Sequence, residues 1–302
     1  MKYKNIIKYA WEITKKEKQN LFIFGFIPSL SGTIVGLGYI SYQILAFRDW
    51  IIPHQHGSVG KIIKLIIKFL QDKPELTVFL IITSFFVFLM YSLSPSICGG
   101  ALIDLISKKT QSKKLKGGLL KGFESFFPLL EFAAITSPFG IFAILIEISM
   151  VVRNFSSGTL FFILPVLSSI LVIGAFLSLL FIFAEQNIVL ENHNVLKAMR
   201  RSSVLVLTNV KDIFFLGISM ILITSRIIVN IFLIVIIPLF FVGTIGLMTS
   251  VASKIIGVIV GTILGLTIII LGSYAMAIFH IFTYAVWTLS FITFRKNEED
   301  NK

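Results

Sequence analysis

The most informative residues are a few polar side chains that lie inside long apolar stretches. Arg226 lies near the middle of one such stretch, and Asn230 follows it by one helical turn on the same face. Glu147 lies at a comparable depth in another stretch. A charged side chain at the centre of a bilayer is a candidate functional residue. We therefore predict a mid-membrane polar site of these three residues, which either acts as a gate or anion site or joins two hairpins through a Glu147–Arg226 ion pair.

A second and weaker set of polar residues lies towards one end of the apolar stretches. Glu131 lies near the start of the third stretch, whereas His280 and Tyr284 lie one turn apart late in the last one. Groups of this kind can pass protons along a relay. The alternative is that they are interfacial polar residues that hydrogen-bond to one another.

The sequence lacks the short motifs of hydrolases and metalloenzymes. It contains no GxSxG, HExxH or CxxC motif, and Cys98 is its only cysteine. His54 and His56 lie two residues apart, but only Asp49 is near enough in sequence to complete a metal site. We therefore predict a protein that is not an enzyme and that has no resident cofactor or metal.

The composition is that of a membrane protein. Of the 302 residues, 56% are hydrophobic and 14% are charged, and the mean hydropathy is +0.93. Soluble domains have roughly 45–50% apolar and about 25% charged residues. A single soluble core could not bury this much apolar surface, and disorder requires low hydrophobicity. The apolar runs are continuous rather than alternating, which predicts an all-α polytopic integral membrane protein instead of a barrel.

Six apolar stretches are long enough to cross a bilayer as helices, for which about 20 residues are needed. They are predicted at about 21–47, 76–96, 126–152, 160–184, 213–239 and 255–292. Residues 1–302 are therefore expected to form a single membrane domain that ends in a polar tail at 295–302. Pro128 and Pro138 make the third stretch the best candidate for a broken helix.

Basic amphipathic segments precede three pairs of spans. An interfacial helix is predicted at 4–20, and similar segments occur at 115–127 and 195–214. The six spans are thus expected to form three hairpins, each preceded by an amphipathic interfacial helix. Residues 61–70 are predicted to form a further interfacial helix on the outer surface.

The distribution of lysine and arginine predicts the orientation. The formal net charge is +12, and most basic residues fall in the N-terminal segment, in the loops after the second and fourth spans, and in the tail. A six-span arrangement places these segments on one side, which the positive-inside rule assigns to the cytoplasm. Both termini are therefore expected inside, and the charge is expected to meet anionic lipid headgroups rather than nucleic acid.

Glycines at four-residue spacing occur in the first and last spans. The first span contains the pair Gly32 and Gly36, and the last span contains the triplet Gly257, Gly261 and Gly265. Small residues at this spacing let helices approach closely, so these positions are predicted to pack against neighbouring helices.

Three segments of the chain resemble a known bacterial membrane family. Residues 187–205 read NIVLENHNVLKAMRRSSVL, in which a glutamate and an Ala-Met-Arg-Arg-Ser helix precede a span. Residues 7–25 (IKYAWEITKKEKQNLFIFG) and 100–127 fit the same pattern. The chain thus resembles bacterial six-span membrane proteins related to the membrane domain of glycerophosphoryl diester phosphodiesterases.

The resemblance implies a membrane module rather than a chemical activity. In that family the membrane domain is sometimes joined to a soluble domain that carries the phosphodiesterase chemistry, and none is expected here. No catalytic role comes with the matching residues Glu191, Arg200, Arg201 and Ser202. We expect Glu191, Lys197, Arg200 and Arg201 to form a basic motif at the cytoplasmic face.

Two functions are compatible with these features. The first is a non-enzymatic module of a prokaryotic cytoplasmic membrane that binds anionic lipid headgroups, a protein partner or a second copy of itself. The second is a transporter or channel for a small anionic solute or lipid headgroup, which would use Arg226, Asn230 and Glu147. A water-filled path to Arg226 would favour transport, and a dry bundle would favour the module.

Overall fold

The computed structural model describes residues 3–51, 64, 67–68, 70–155, 157–249 and 254–300. These residues form helices joined by short turns, and no strand occurs among them, as the composition predicts. The helices are α1 (Tyr3–Lys16), α2 (Lys18–Ile51), α3 (Pro74–Thr110), α4 (Gly118–Glu124), α5 (Phe126–Thr136), α6 (Ile141–Asn154), α7 (Ser157–Leu180), α8 (Ala184–Glu191), α9 (Val195–Thr208), α10 (Val210–Thr249) and α11 (Lys254–Asp300).

Several of these helices can cross a membrane. The stretches that are long and apolar enough are Lys18–Gln43, Pro74–Thr110, Phe126–Arg153, Gly158–Glu191 and Gly265–Asp300. A sixth is added if α9 and α10, which are bent by 98° to each other, form one broken span. Within the described residues the protein is therefore a membrane-embedded bundle with five or six such helices.

The span predicted at 76–96 is longer in the structure, because α3 continues to Thr110. Its second half is rich in small residues, and nearly every side chain from Cys98 to Ser107 is buried. This half packs against α4, α8 and α11. Lys108 and Lys109 in its last turn suit the negative end of the helix dipole.

The third predicted span is broken, as its prolines predict. α5 ends at Thr136, a short 3-10 turn follows over Ser137–Phe139, and α6 begins at Ile141. Pro138 lies in that turn, where its missing N–H and its ring prevent the α-helix from continuing. Pro128 does not break the chain, because it lies in the first turn of α5, where backbone N–H groups have no helical partner.

Amphipathic helices precede the pairs of long helices where they are expected, but they are shorter. The helix predicted at 4–20 ends at Lys16, and α2 begins at Lys18. It buries Ile6, Ala10 and Ile13, which share one helical face, in a core with α3, α10 and α11. α4 and α9 occupy the other two predicted segments, and the helix predicted at 61–70 lies largely outside the described residues.

Close helix contacts are made by glycines other than those that the spacing indicates. No described atom lies within 4 Å of a side chain added at Gly32, Gly36 or Gly265, and the surroundings of the other two glycines of the triplet lie outside the described residues. A Cβ added at Gly25 would lie 2.8 Å from the backbone oxygen of Ala277 in α11. α2 and α11 therefore approach each other closely near the beginning of α2 rather than at its middle.

Candidate functional site

The basic segments of the chain meet at one end of the bundle. Lys109 of α3 donates to Glu17 between α1 and α2, with Nζ and Oε1 2.5 Å apart. Lys121 of α4 donates to Asn192 after α8 at 2.7 Å. Arg295 of α11 pairs with Glu191 of α8 at 2.7 Å. We call this region, formed by α1, residues 108–124, residues 191–201 and the last turns of α11, the basic end.

Many cations of the basic end face outwards without an ion pair to any described residue. Their side chains are exposed, and they come from three separate parts of the chain. They are Lys4, Lys8, Lys15, Lys113, Lys114, Lys116, Lys197 and Arg200. The basic end therefore presents a cationic surface beside the short helix α4 and the amphipathic helices α1 and α9.

Glu191 is the anion at the centre of the predicted basic motif. Its side chain is only 6% exposed, and its two oxygens contact Arg295 at 2.7 Å and Arg201 at 3.0 Å. His193 Nδ1 lies 3.4 Å from the same carboxylate. Of the four motif residues, Glu191 and Arg201 thus hold α8, α9 and α11 together, whereas Lys197 and Arg200 are exposed and available to a ligand.

Besides Lys109, whose pKa is raised by its hydrogen bond to Glu17, two titratable groups at the basic end have shifted pKa values. The hydrogen bond from Lys109 holds the pKa of Glu17 below its ordinary value, and a further hydrogen bond from Asn20 acts in the same direction. Burial lowers the pKa of His193, and the neighbouring charge of Lys197 adds to this effect, although Glu191 opposes it. Both shifts favour the state in which His193 is neutral and Glu17 is ionised near neutral pH.

A polar cavity of about 370 Å³ lies between α5, the α7–α8 junction and α11. Its polar lining is formed by Thr136, Ser178, Glu185, Gln186, His280, Thr283 and Tyr284. The Tyr284 hydroxyl lies beside the Glu185 carboxylate, and the rings of His280 and Tyr284 meet edge to face with centroids 4.9 Å apart. Aromatic side chains of α5, the junction and α11 complete the walls.

The structure brings His280 and Tyr284 together but not with Glu131. Glu131 is exposed on α5 and does not line the cavity. The carboxylate beside the tyrosine is instead Glu185, which the predicted boundary at 160–184 leaves just outside the fourth span. The helical stretch runs from Gly158 to Glu191, so Glu185 and Gln186 lie within it. The signal that identifies them is a run of three polar residues, Glu185 to Asn187, between the apolar runs 170–184 and 188–190.

A short break between α7 and α8 aims Glu185 and Gln186 at the cavity. At this break the Ala184 N–H bonds to the Phe181 carbonyl, which leaves the Leu180 carbonyl free of its helical partner. The Ser202 hydroxyl of α9 donates to that carbonyl at 2.7 Å and accepts the N–H of Phe183 at 3.0 Å. One fully buried serine therefore satisfies two of the backbone groups that the break releases.

The structure does not bring Arg226, Asn230 and Glu147 together. All three side chains are exposed on the surface of the bundle, and no ion pair joins Glu147 to Arg226 in the described part of the chain. α6, which carries Glu147, packs on α7 and on the 3-10 turn, whereas α10 packs mainly on α11. The two charges are thus on helices that pack in different parts of the bundle.

Among the residues that the structure describes, no group of three or more His, Cys, Asp or Glu side chains is arranged to hold a metal ion. Comparison of the chain with family models, with curated proteins and with solved structures finds no match. The basic end and the polar cavity are therefore the candidate functional sites of the chain.

Proposed function

We propose that the chain is a non-enzymatic integral membrane protein that binds anionic lipid headgroups through its basic end. The observation that carries this proposal is the set of exposed cations from three separate segments beside the amphipathic helices α1 and α9. Each basic side chain near an anionic membrane surface contributes about 1 kcal/mol of attraction. A cationic surface of this size therefore favours lipid binding over a purely structural role.

The same features support a finer membrane arrangement. We propose six spans in three hairpins, with α10 as the fifth span, with α9 as the interfacial helix that precedes it, and with both termini in the cytoplasm of a prokaryotic cell. The contacts that join α1, the segment after α3, the α8–α9 turn and the end of α11 support a shared side for these basic segments. The positive-inside rule then supports the cytoplasm as that side.

The family resemblance is also a proposal, and the residues that carry it have mutually consistent roles. Ser202 holds the α7–α8 break, and Arg201 with Glu191 joins α8 to α9. Asn187 donates from its side chain to the Phe183 carbonyl at 2.9 Å. These contacts support a membrane module in which the motif builds the fold and performs no chemistry.

Transport of a small anionic solute is the weaker alternative. It would use a common site for Arg226, Asn230 and Glu147, and these side chains lie apart in the described structure. The basic end offers several free cations, so anionic lipid binding has the better support.

The test measures lipid affinity of a charge-neutralised variant in detergent. Native mass spectrometry of the purified protein with added phosphatidylglycerol gives the affinity of the wild type and of the double variant Lys197→Gln/Arg200→Gln. Loss of two charges at about 1 kcal/mol each corresponds to a roughly 30-fold weaker affinity. High salt is expected to weaken wild-type binding in the same direction.

The matched control is Lys64→Gln/Lys68→Gln, which removes the same charge from exposed lysines outside the basic end. This control is expected to bind phosphatidylglycerol like the wild type. Equal affinities for the two double variants, or no preference for phosphatidylglycerol over phosphatidylcholine in the wild type, would refute the proposal.

A further inference from the structure

We propose that the polar cavity binds an ammonium group, which is carried either by a lipid headgroup such as phosphatidylethanolamine or by a small free amine. The cavity is separate from the basic end and would take a ligand of opposite charge. This inference does not depend on the anionic lipid site.

Three hydrogen-bond acceptors line the cavity with spare capacity. Gln186 is only 2% exposed, and its Oε1 has no hydrogen-bond partner. The buried Nε2 of His280 also has no partner, and it accepts a hydrogen bond in the tautomer that carries the proton on Nδ1. The Glu185 carboxylate has four lone-pair sites, and the Tyr284 hydroxyl is the only neighbouring polar group that is identified beside it among the described residues. An alkylammonium group has three N–H donors, so it can satisfy all three acceptors at once.

The charge of the cavity also selects a cation. Glu185 is its one acidic side chain, and no lysine or arginine is among the described residues that line it. A buried carboxylate without a cation is costly, and an ammonium group would neutralise it. The faces of Phe132, Phe181 and Trp287 in the walls can add cation–π attraction. An anionic headgroup would instead be repelled by Glu185.

The shape of the cavity indicates what carries the ammonium group. A second, mainly apolar pocket of about 220 Å³ adjoins it and shares Thr136, Ser178 and Phe181 as lining residues. Ile135, Leu177 and Met199 line this extension. Ser178 at the shared edge is exposed, which gives access from the surface of the bundle. A polar cavity continuous with an apolar one fits an amine attached to an acyl chain better than a free amine.

The cavity contains its own reporter. Trp287 lines it, and the two other tryptophans of the chain, Trp11 and Trp50, can be replaced by phenylalanine. In the resulting single-tryptophan protein in detergent, the emission of Trp287 is followed during titration with four soluble ligands. They are dihexanoyl phosphatidylethanolamine, dihexanoyl phosphatidylcholine, dihexanoyl phosphatidylglycerol and ethanolamine.

We expect the emission of Trp287 to change in a saturable way with the phosphatidylethanolamine. The phosphatidylcholine should bind at least tenfold more weakly, because its quaternary nitrogen has no N–H donor, and the phosphatidylglycerol should give no saturable change. Saturation by ethanolamine at similar concentrations would identify a free amine as the ligand, whereas a response to the lipid alone would identify the headgroup. A response of equal affinity to the phosphatidylglycerol would overturn the proposal.

Substitution of the carboxylate completes the test. Glu185→Gln keeps the size of the side chain and removes its charge, so the affinity for the phosphatidylethanolamine should fall at least tenfold. Glu131→Gln removes an exposed carboxylate outside the cavity and should leave the affinity unchanged. Equal losses in the two variants, or none in Glu185→Gln, would contradict the proposal. The headgroup selectivity is measured with an intact cavity, so it decides the matter even if Glu185→Gln does not fold.

The outcome is separable from that of the basic end. Lys197→Gln/Arg200→Gln should retain the phosphatidylethanolamine response of Trp287 while it loses affinity for phosphatidylglycerol. Either site can therefore fail its test without affecting the result for the other.

Discussion

Replacement of Ser202 by alanine should destabilise the junction between α7 and α8. The hydroxyl group makes two hydrogen bonds, at 2.7 Å to the Leu180 carbonyl and at 3.0 Å from the Phe183 N–H. Ser202 and Phe183 are both 0% exposed, so water cannot readily replace the lost partner of the N–H. The carbonyl is in a partly buried residue and can be partly rehydrated.

The expected loss follows from these two orphaned groups. An unsatisfied buried donor or acceptor costs about 1–3 kcal/mol. With the carbonyl counted at the lower end, Ser202→Ala should lower the free energy of unfolding by about 2–4 kcal/mol. At roughly 2–4 °C per kcal/mol, the melting temperature should fall by about 4–16 °C.

The neighbouring serine supplies the control. Ser203 lies in the same helix, and its hydroxyl donates to the Met199 carbonyl at 3.0 Å, one turn earlier. This bond goes to a carbonyl one turn back within the same helix, so Ser203→Ala should change the free energy of unfolding by less than about 0.5 kcal/mol. Thermal unfolding of both variants in the same detergent, followed by far-ultraviolet circular dichroism, measures the difference. Equal melting temperatures for the two variants would refute the assignment of Ser202 as the anchor of the break.

Three further predictions concern the ion pairs and the helix packing. Glu191→Gln removes the carboxylate that two half-exposed arginines share and should lower the free energy of unfolding by about 1–3 kcal/mol. Glu299→Gln breaks an exposed ion pair within α11 and should lower it by less than about 0.5 kcal/mol. Equal losses in thermal unfolding would show that the shared carboxylate has no special role. Because the folded-state pKa of Glu17 lies below 4.5, its contribution to stability is complete above that pH and is lost as the pH falls through the folded-state pKa. The stability deficit of Glu17→Gln measured at pH 7 should therefore shrink as the pH is lowered below 4.5, and a deficit that stays constant into the acid range would contradict the shift. Gly174→Ala would place a Cβ 2.3 Å from the Phe139 backbone oxygen and should cost about 1–3 kcal/mol, while Gly158→Ala in the same helix meets nothing within 4 Å and should be neutral or slightly stabilising in the same unfolding assay.

The two helix breaks differ in how far the sequence can reveal them. The break after α5 is predictable because Pro138 prevents a helix from continuing. The break between α7 and α8 has no such mark, since the residues from Leu180 to Phe183 are all apolar and include no proline or glycine. It is stabilised by Ser202, nineteen positions beyond Phe183, so it depends on a tertiary contact. The span predicted at 160–184 therefore runs through this break without showing it.

Which helices pack against each other could not be predicted from the spacing of residues in the sequence. Arg226 and Glu147 have comparable depths in the sequence, but depth says nothing about which helices pack together. The glycine spacing has the same weakness, because it identifies small residues without their partners. Gly32 lies in open space, whereas a Cβ at Gly99, which belongs to no such repeat, would lie 2.6 Å from the Tyr284 hydroxyl. The absent side chain there is what allows Tyr284 to lie beside Glu185.

The cavity and the basic end are linked through the short helix α8. Glu185 and Glu191 are six residues apart on it, which corresponds to about 9 Å along its axis. A helix of eight residues is not stable alone, so its position is set by its anchors. Ser202 holds its beginning, and the two arginines at Glu191 hold its end. Since the same helix carries Glu185 and Gln186, the salt bridges of the basic end fix the position of the acceptors in the cavity.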